Sequence, residues 1–316
     1  MYNFRTDLAL ERRELFKKAN KIEDEIDGVE TEEEINHNGV IITRVKILNE
    51  SGENALKKPK GNYITIDIKK IKSIDEEGIQ NASDILSKEL KKLIDEKIGK
   101  SEDILIVGLG NEYVTPDSLG PKAINEIDIT RHILNYMPGV LEEGTRPVSA
   151  ISPGVLGTTG IETLEILKGI VENIRPKLII VIDALASRSI ERISSSIQLA
   201  DTGIVPGAGV GNTRKELSIN TLGIPVIALG IPTVVESAVL VNDCLNLFIE
   251  KLQEEAKSNE YLNRIKEEDN YESIKDALVP NDYNMIVTPK EIDELIENMK
   301  DIVARRNKSC NINNIE

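Results

Sequence analysis

Two aspartates have the residue type and the position expected of a reacting pair. Asp183 directly follows the apolar run Ile179–Ile182, which predicts a strand buried on both faces. Asp117 lies in the segment Gly108–Pro121, rich in Gly and Pro, which follows a second such run, Asp103–Gly108. Ligands collect at the carboxyl ends of parallel strands in α/β sheets, so we expect both carboxylates at one sheet edge. An aspartate that only caps a helix or turn is the alternative.

Paired carboxylates have two chemical uses. Two acids held close together do not both ionise readily, so one keeps its proton while the other stays charged. The charged acid can activate a water molecule and the protonated acid can polarise a carbonyl group, which together suffice for amide hydrolysis. The same two side chains could also hold a divalent metal ion. The residues alone leave both uses open.

Other catalytic chemistries lack the residues they need. His37 lies in a turn-like segment and His132 in a helix-like one, and no His/Cys cluster has the spacing of a zinc site. Cys244 lies in an apolar helical segment, where we expect a small core residue rather than a nucleophile. Gly207–Asn212 lacks the G-x-G-x-x-G order of a dinucleotide loop. We therefore predict a tight loop there, whose backbone approaches a partner.

Composition narrows the partners and the compartment. The 316 residues include 39 basic and 54 acidic side chains, a net charge of −15, and 3% are aromatic. This balance disfavours direct nucleic-acid binding, which relies on phosphate contacts and stacking platforms. No apolar stretch approaches the length of a membrane span, and the first residues lack a secretion signal. Two distant cysteines, Cys244 and Cys310, favour a reducing cytoplasm.

The middle of the chain alternates strand-like and helix-like segments. Strands are predicted over 103–108, 177–183 and 224–230, and helices over 160–174 and 233–252. Alternation of this kind indicates parallel strands covered by helices. The fold class predicted is α/β, with α/β/α layers around a mostly parallel central sheet.

The flanking segments carry more charge. The first hundred residues predict helices over 11–26 and 82–98 and strands over 39–47 and 62–68, a smaller α+β portion packed on the core. The segment after residue 250 is charged and mostly helical, with one strand predicted over 283–288. The predicted divisions are an N-terminal segment, an N-terminal helix and strand segment, an α/β core and a charged helical segment, over residues 1–7, 8–102, 103–252 and 253–316.

Five segments of the chain have a recognisable sequence. They are Gly108–Asn111 with Val114–Pro121, Ile151–Gly160, Val181–Arg188, Asp201–Asn212 and Gly230–Val235. Together they resemble the germination protease of endospore-forming bacteria, and the resemblance extends over nearly the whole chain. The first segment is also similar to the hydrogenase-maturation endopeptidases, which share the α/β fold.

This resemblance implies an endopeptidase that degrades small acid-soluble spore proteins at germination. It implies an inactive tetrameric zymogen in the cytoplasm of the forespore, which removes a short N-terminal segment from itself. We expect no cofactor and no bound metal. Asp117 and Asp183 match the proposed catalytic pair, one for water activation and one for carbonyl polarisation, without a decision on which does which. The residues expected to shape the site or contact substrate are Gly108, Gly110, Asn111, Thr115, Arg188, Gly207, Gly209 and Asn212.

The N-terminus resembles the family's own substrate site. Thr6–Glu11 has an acid followed by an apolar residue, an alanine, a variable position and a glutamate. We predict self-cleavage between Asp7 and Leu8, so that residues 1–7 form a pro-segment; an ordinary chain start before a helix is the alternative. Acidification would activate the zymogen in one of two ways, by weakening the contacts of the pro-segment or by supplying the proton that the acid pair needs.

Two other functions compete with this one. The first is a metal-dependent peptidase on the same scaffold, with Asp117 and Asp183 as ligands; the absence of a nearby histidine in the sequence disfavours it. The second is a non-catalytic protein whose glycine-rich loops bind an anion or a partner chain.

Overall fold

The computed structural model describes most of the chain. The described residues are 6–36, 39–68, 74–137, 139–256, 274, 277–278 and 285–304. His37, Cys310, the first five residues of the predicted pro-segment and part of the predicted strand over 283–288 lie outside them.

A single sheet runs through the described part of the chain. Its order is β1-β2-β3-β7-β8-β6-β4-β5, and β9 pairs with β8 beside this path. The strands are β1 Val29–Ile35, β2 Ile41–Ile47, β3 Gly61–Asp67, β4 Ile104–Gly108, β5 Val148–Ile151, β6 Leu178–Ser187, β7 Ser196–Ala200, β8 Val226–Glu236 and β9 Ile286–Val287.

Helices lie between these strands and beside them. The helices are α1 Ala9–Asn20, α2 Glu50–Leu56, α3 Glu76–Lys97, α4 Leu119–Ile124, α5 Arg131–Tyr136, α6 Leu156–Thr159, α7 Thr163–Ile174, α8 Ile219–Leu222, α9 Ser237–Ala256 and α10 Ile292–Ala304. Within the described residues, three short 3-10 turns cover Thr115–Asp117, Ile190–Arg192 and Ala208–Val210.

The α/β class and the layered arrangement are confirmed, and the sheet is mixed. Strands β5, β4, β6 and β8 are parallel to one another, as the sequence predicts for the core. Strand β7 is antiparallel to both β8 and β3, and β3, β2 and β1 continue as an antiparallel meander. The N-terminal strands therefore extend the core sheet instead of forming a second one.

The two faces of the sheet are covered by different helices. Apolar side chains of α3, α4 and α10 pack on one face, against residues such as Ile180 and Ile182. Helix α7 packs on the other face, against Ile179 and Val181, and α1 packs beside it on the N-terminal strands. Alternate residues of β6 thus enter opposite cores, as the two-residue period of a strand requires.

Strands β6 and β8 are longer than the sequence indicates. Residues 184–187 continue β6 past Asp183, paired with Ile231–Val235 of β8. The helix predicted from Thr233 begins instead at Ser237, because the buried residues 233–236 remain in β8. Asp183 is therefore inside β6 and not at its end.

The neighbour of β6 ends earlier and keeps Asp183 at a sheet edge. Strand β4 ends at Gly108, which pairs with Ile182. One residue further along β6, Asp183 has β8 on one side and no β4 partner on the other. The stagger of the two strands thus produces the open edge that the sequence predicts.

The end of β4 crosses the start of α4 at van der Waals distance. A Cβ added at Gly108 would lie 2.3 Å from the carbonyl oxygen of Gly120, and one added at Gly120 would lie 2.2 Å from that of Leu109. Because the obstructing atoms are backbone, a side chain at either position must separate the strand from the helix.

Gly108→Ala is therefore expected to lower the free energy of unfolding by about 1–3 kcal/mol through overpacking. The matched control is Gly169→Ala in α7, where an added Cβ meets no atom within 4 Å. That change is expected to stabilise the protein by roughly 0.5–1 kcal/mol, because alanine is the better helix former. Urea unfolding of the three proteins measures both effects, and equal stability of Gly108→Ala and wild type would contradict the crossing.

Candidate active site

Asp183 is buried at the open edge of the sheet. Its side chain is 5% exposed, and its Oδ1 accepts a hydrogen bond of 2.9 Å from the backbone N–H of Ala184. Its partner across the parallel pair is Gly230, which has no side chain. The carboxyl group therefore lies among apolar strands with one backbone donor.

Asp117 reaches the same edge from the loop after β4. It closes the 3-10 turn Thr115–Asp117, and the backbone N–H of Asn111 donates both to its Oδ2 at 2.9 Å and to its carbonyl oxygen at 3.0 Å. Gly110 has a φ of +115°, and a Cβ there would lie 2.0 Å from the Asp117 carbonyl oxygen. Glycine is thus required for the loop to fold back on Asp117.

One cavity brings three aspartates together. Asp117, Asp183 and Asp7 all line a cavity of about 290 Å³ at the end of β4, and Glu162 and Arg214 line it as well. The loop after β5 contributes residues 154–156, and the loop after β7 contributes Pro206, Gly207, Val210 and Asn212. The cavity therefore joins the predicted acid pair to the predicted cleavage segment.

Burial raises the pKa of both predicted catalytic acids. Burial is the largest cause for Asp117, whose pKa is raised to about 6 although the Asn111 N–H favours its charged form. The pKa of Asp183 is raised well above its ordinary value, first by burial and then by the negative charges of Asp117 and Asp7. As pH rises, Asp117 is therefore the first of the pair to lose its proton, and Asp183, which is more fully buried, keeps its proton longer.

Asp7 is held in the cavity by main-chain groups. Its backbone N–H donates to the Ala186 carbonyl at 3.0 Å, and the Ala186 N–H donates to its Oδ2 at 2.9 Å. The N–H of Gly209 also donates to this carboxylate, and a Cβ on Gly209 would lie 2.1 Å from Oδ2. Burial raises the pKa of Asp7, and the charges of Lys58 and Arg12 oppose that rise.

The residues after Asp7 are bound as closely. Leu8 and Ala9 are fully buried. The Glu11 carboxylate accepts from the backbone N–H of Arg188 at 2.7 Å, from that of Ser189 at 2.9 Å and from the Thr6 hydroxyl. In the substrate-like segment, the two acids are thus held by hydrogen bonds, and the apolar residue and the alanine between them are held by burial.

Most of the predicted site-shaping residues meet at this edge. Gly108, Gly110, Asn111 and Thr115 form the loop that positions Asp117, Gly207 and Asn212 line the cavity, and Gly209 contacts Asp7. Arg188 lies outside the cavity lining: its backbone N–H holds Glu11, and its guanidinium pairs with Asp243 at 2.7 Å.

Sequence reasoning missed three residues of the site. Lys58 lies in a Lys- and Pro-containing segment typical of an exposed loop, whereas its charge acts on Asp7. Ser189 holds Glu11 through its backbone N–H. Gln198 lies in the five-residue strand β7, which has no motif; its polar side chain among buried residues is the one available signal. The prediction for Cys244 is wrong, since it is exposed on α9.

No group of three His, Cys, Asp or Glu side chains suited to a metal ion occurs among the residues that the structure describes. Over those same residues, no helix combines the length and the apolar character needed to cross a bilayer.

Comparison with known proteins identifies the family. The family model described as germination protease matches residues 7–266. The germination protease of Clostridium acetobutylicum is 46% identical over 309 residues, which cover 96% of this chain and 94% of that relative. The chain belongs to the germination protease family. Its members are peptidases, and the resemblance noted in the sequence is confirmed.

Relatives outside that genus extend the match. The germination protease of Bacillus thuringiensis subsp. konkukian is 41% identical over 342 aligned positions, which cover 96% of this chain and 92% of that relative. Among solved structures, the [NiFe] hydrogenase maturation protease HycI of Thermococcus kodakarensis KOD1 matches 46% of this chain and 80% of that chain, with 18% identity and a TM-score of 0.29.

The raised pKa of Asp117 predicts a pH-dependent gain in stability on Asp117→Asn. The pKa of Asp117 is about 6 in the folded state and 3.8 in its ordinary state, so the folded protein binds this proton more tightly than the unfolded chain. The wild type therefore loses stability as pH rises from about 4 to about 6. Asparagine removes the buried charge and can still accept from Asn111. The variant should therefore be more stable at pH 8 by about 1–2 kcal/mol, allowing for partial exposure, with a gain that shrinks towards pH 4.

Urea unfolding at several pH values measures this difference. A gain that stays the same from pH 4 to pH 8 would contradict the burial of a charged Asp117.

Proposed function

We propose that this protein is an endopeptidase that degrades small acid-soluble spore proteins during germination, and that it is made as a zymogen that cleaves itself between Asp7 and Leu8. The observation that carries the proposal is the cavity in which the carboxylate of Asp7 lies together with those of Asp117 and Asp183. A chain start without a role in catalysis would not need a buried carboxylate beside two others, because such burial costs free energy.

The contacts of the N-terminal segment support its role as a substrate. The positions that define the family's substrate pattern are those that the protein binds most fully: the carboxylates of Asp7 and Glu11 each accept from two backbone N–H groups, and Leu8 and Ala9 are fully buried. A spore protein with the same pattern offers the same groups. Residues 1–7 are the proposed pro-segment.

The two pKa directions support an assignment of roles. Asp117, charged near neutral pH, takes a proton from a water molecule, whose oxygen then attacks the carbonyl carbon of Asp7. Asp183 holds the second proton and polarises the carbonyl oxygen. The bond from that carbon to the Leu8 nitrogen breaks, and a proton passes to the nitrogen. The products are a carboxyl group on Asp7 and a free amine on Leu8.

The directions of the pKa shifts also favour one of the two routes of acid activation, which are release of the pro-segment and supply of the catalytic proton. Because burial raises the pKa of Asp7, the folded state favours its protonated form, so acidification strengthens its docking rather than releasing it. Acidification also fills the proton site of the pair on Asp183. We therefore propose that falling pH acts by supplying the catalytic proton.

The remaining parts of the proposal rest on family membership. They are a homotetramer located in the cytoplasm of the forespore and spore core, spore proteins as the partners, no direct contact with nucleic acid or membrane, and catalysis in the segment 103–252. The net charge of −15 suits an enzyme that removes proteins from DNA without binding the DNA.

Self-cleavage is expected in the wild type and in neither Asp117→Asn nor Asp183→Asn, because each change removes one of the two proton-handling groups. The three purified chains are incubated at mildly acidic pH, and the loss of the first seven residues is read by intact mass. Arg192→Lys lies outside the cavity and serves as the control variant. This chain should still lose its first seven residues.

A chelator in parallel reactions separates the competing functions. Cleavage that continues with chelator supports the carboxylate mechanism, whereas chelator-sensitive cleavage would indicate a metal-dependent peptidase with the same two ligands. Chains that stay intact in every reaction, together with unchanged binding of partners by both asparagine variants, would indicate a non-catalytic protein.

The rate of self-cleavage is expected to follow a bell-shaped pH profile. Below about pH 6 the rate falls because Asp117 gains a proton, and at higher pH it falls again as Asp183 loses its own; the two apparent pKa values belong to the pair. Initial rates between pH 4.5 and 9 measure the profile. A rate that continues to rise below pH 5 would contradict a charged Asp117 as the base.

A further inference from the structure

Gln198 lies in line with Asp183 across three strands. Gln198 of β7 pairs with Gly230 of β8, which in turn pairs with Asp183 of β6. Directly paired residues project to the same face of a sheet, so both side chains belong to the face on which the N-terminal segment is docked. Gly230 between them adds no side chain to that face.

The amide of Gln198 spans the proposed scissile bond. Its Nε2 donates to the carbonyl oxygen of Asp7 at 3.1 Å, and its Oε1 accepts from the N–H of Ala9 at 2.7 Å. The side chain is 6% exposed. A primary amide has both the donor that the Asp7 carbonyl needs and the acceptor that the Ala9 N–H needs. If the amide were flipped, its oxygen would face the Asp7 carbonyl oxygen and its NH₂ group would face the Ala9 N–H.

We propose, on the basis of the proposed self-cleavage, that Gln198 polarises the scissile carbonyl of Asp7 and fixes which peptide bond is presented to the acid pair. Attack by water moves negative charge onto the Asp7 carbonyl oxygen, and a donor already placed on that oxygen stabilises the charge as it develops. The second contact, with Ala9, fixes the backbone two residues along, so the bond between Asp7 and Leu8 is held from both sides.

A purely structural role would make the same two hydrogen bonds, so the test needs a readout specific to the donor. Gln198→Glu keeps the shape and an acceptor for Ala9. Its ionised form has no donor for the Asp7 carbonyl, whereas its protonated form regains one. Activity relative to wild type should therefore recover as pH falls. Taking the ratio at each pH also cancels the pH dependence that both proteins share. The charged groups that line the neighbouring cavity with Gln198 are Asp7, Arg12, Lys57, Lys58 and Glu216.

Two further variants complete the design. Gln198→Leu removes both hydrogen bonds at similar volume and is expected to slow self-cleavage by roughly 100-fold, the usual effect of losing an oxyanion donor. Thr65→Val is the matched control: Thr65 pairs directly with Gln198, and its buried hydroxyl has no hydrogen-bond partner among the residues described. That variant should cleave at the wild-type rate.

The chains are compared by intact mass over time between pH 5 and pH 8. Slow cleavage in Gln198→Leu, a wild-type rate in Thr65→Val and a ratio for Gln198→Glu that rises at least tenfold towards pH 5 would support the inference. A near-wild-type rate in Gln198→Leu, equal slowing in Thr65→Val, or a ratio that stays flat with pH would overturn it.

If Gln198→Leu lacks a cooperative unfolding transition, the pH dependence of Gln198→Glu decides. Failure of the wild type itself to shorten would instead refute the proposed function, and the two failures are thereby distinguished.

Discussion

The burial of three carboxylates in one cavity is the constraint on which the rest of the site depends. Asp7, Asp117 and Asp183 repel one another when charged, and each loses hydration on entering the protein. Two features make the arrangement tolerable. One is a proton retained on Asp183, and the other is a set of backbone N–H donors, from Asn111, Ala184, Ala186 and Gly209. The same repulsion that opposes folding thus favours the mixed protonation state on which the proposed hydrolysis relies.

The glycine-rich loops follow from this need for backbone donors. The absence of a Cβ at Gly209 lets its main-chain N–H reach the Asp7 carboxylate. At Gly110 it lets the loop fold back, so that the N–H of Asn111 reaches Asp117. The sheet contributes through its stagger, because β4 ends at Gly108 while β6 continues. Neither loop therefore needs a nucleotide or anion to account for its glycines.

Much of the parallel core, and both predicted catalytic acids, could be predicted from the sequence, because buried apolar runs that end in a loop have few other interpretations. Strand β1 could not, since its four glutamates predict a solvated segment. In the structure it pairs with β2 along its whole length, and Arg44 of β2 forms ion pairs with Glu32 and Glu34. Residues 233–236 fit a helix period as well as a strand, and pairing with β6 decides for the strand. Gln198 is defined only by its partners, which are 191 and 189 residues away in the sequence.

Nearly every hydrogen bond that binds the N-terminal segment involves a main-chain group, either of the segment or of the protein around it. The protein reads the Asp7 and Glu11 carboxylates with backbone N–H groups, and Gln198 reads the backbone of the segment. Backbone donors are fixed by the fold and lose no rotamer entropy on binding, which makes them preorganised. The two carboxylates at this spacing satisfy the buried donors, and a bound segment without either acid would leave donors unpaired.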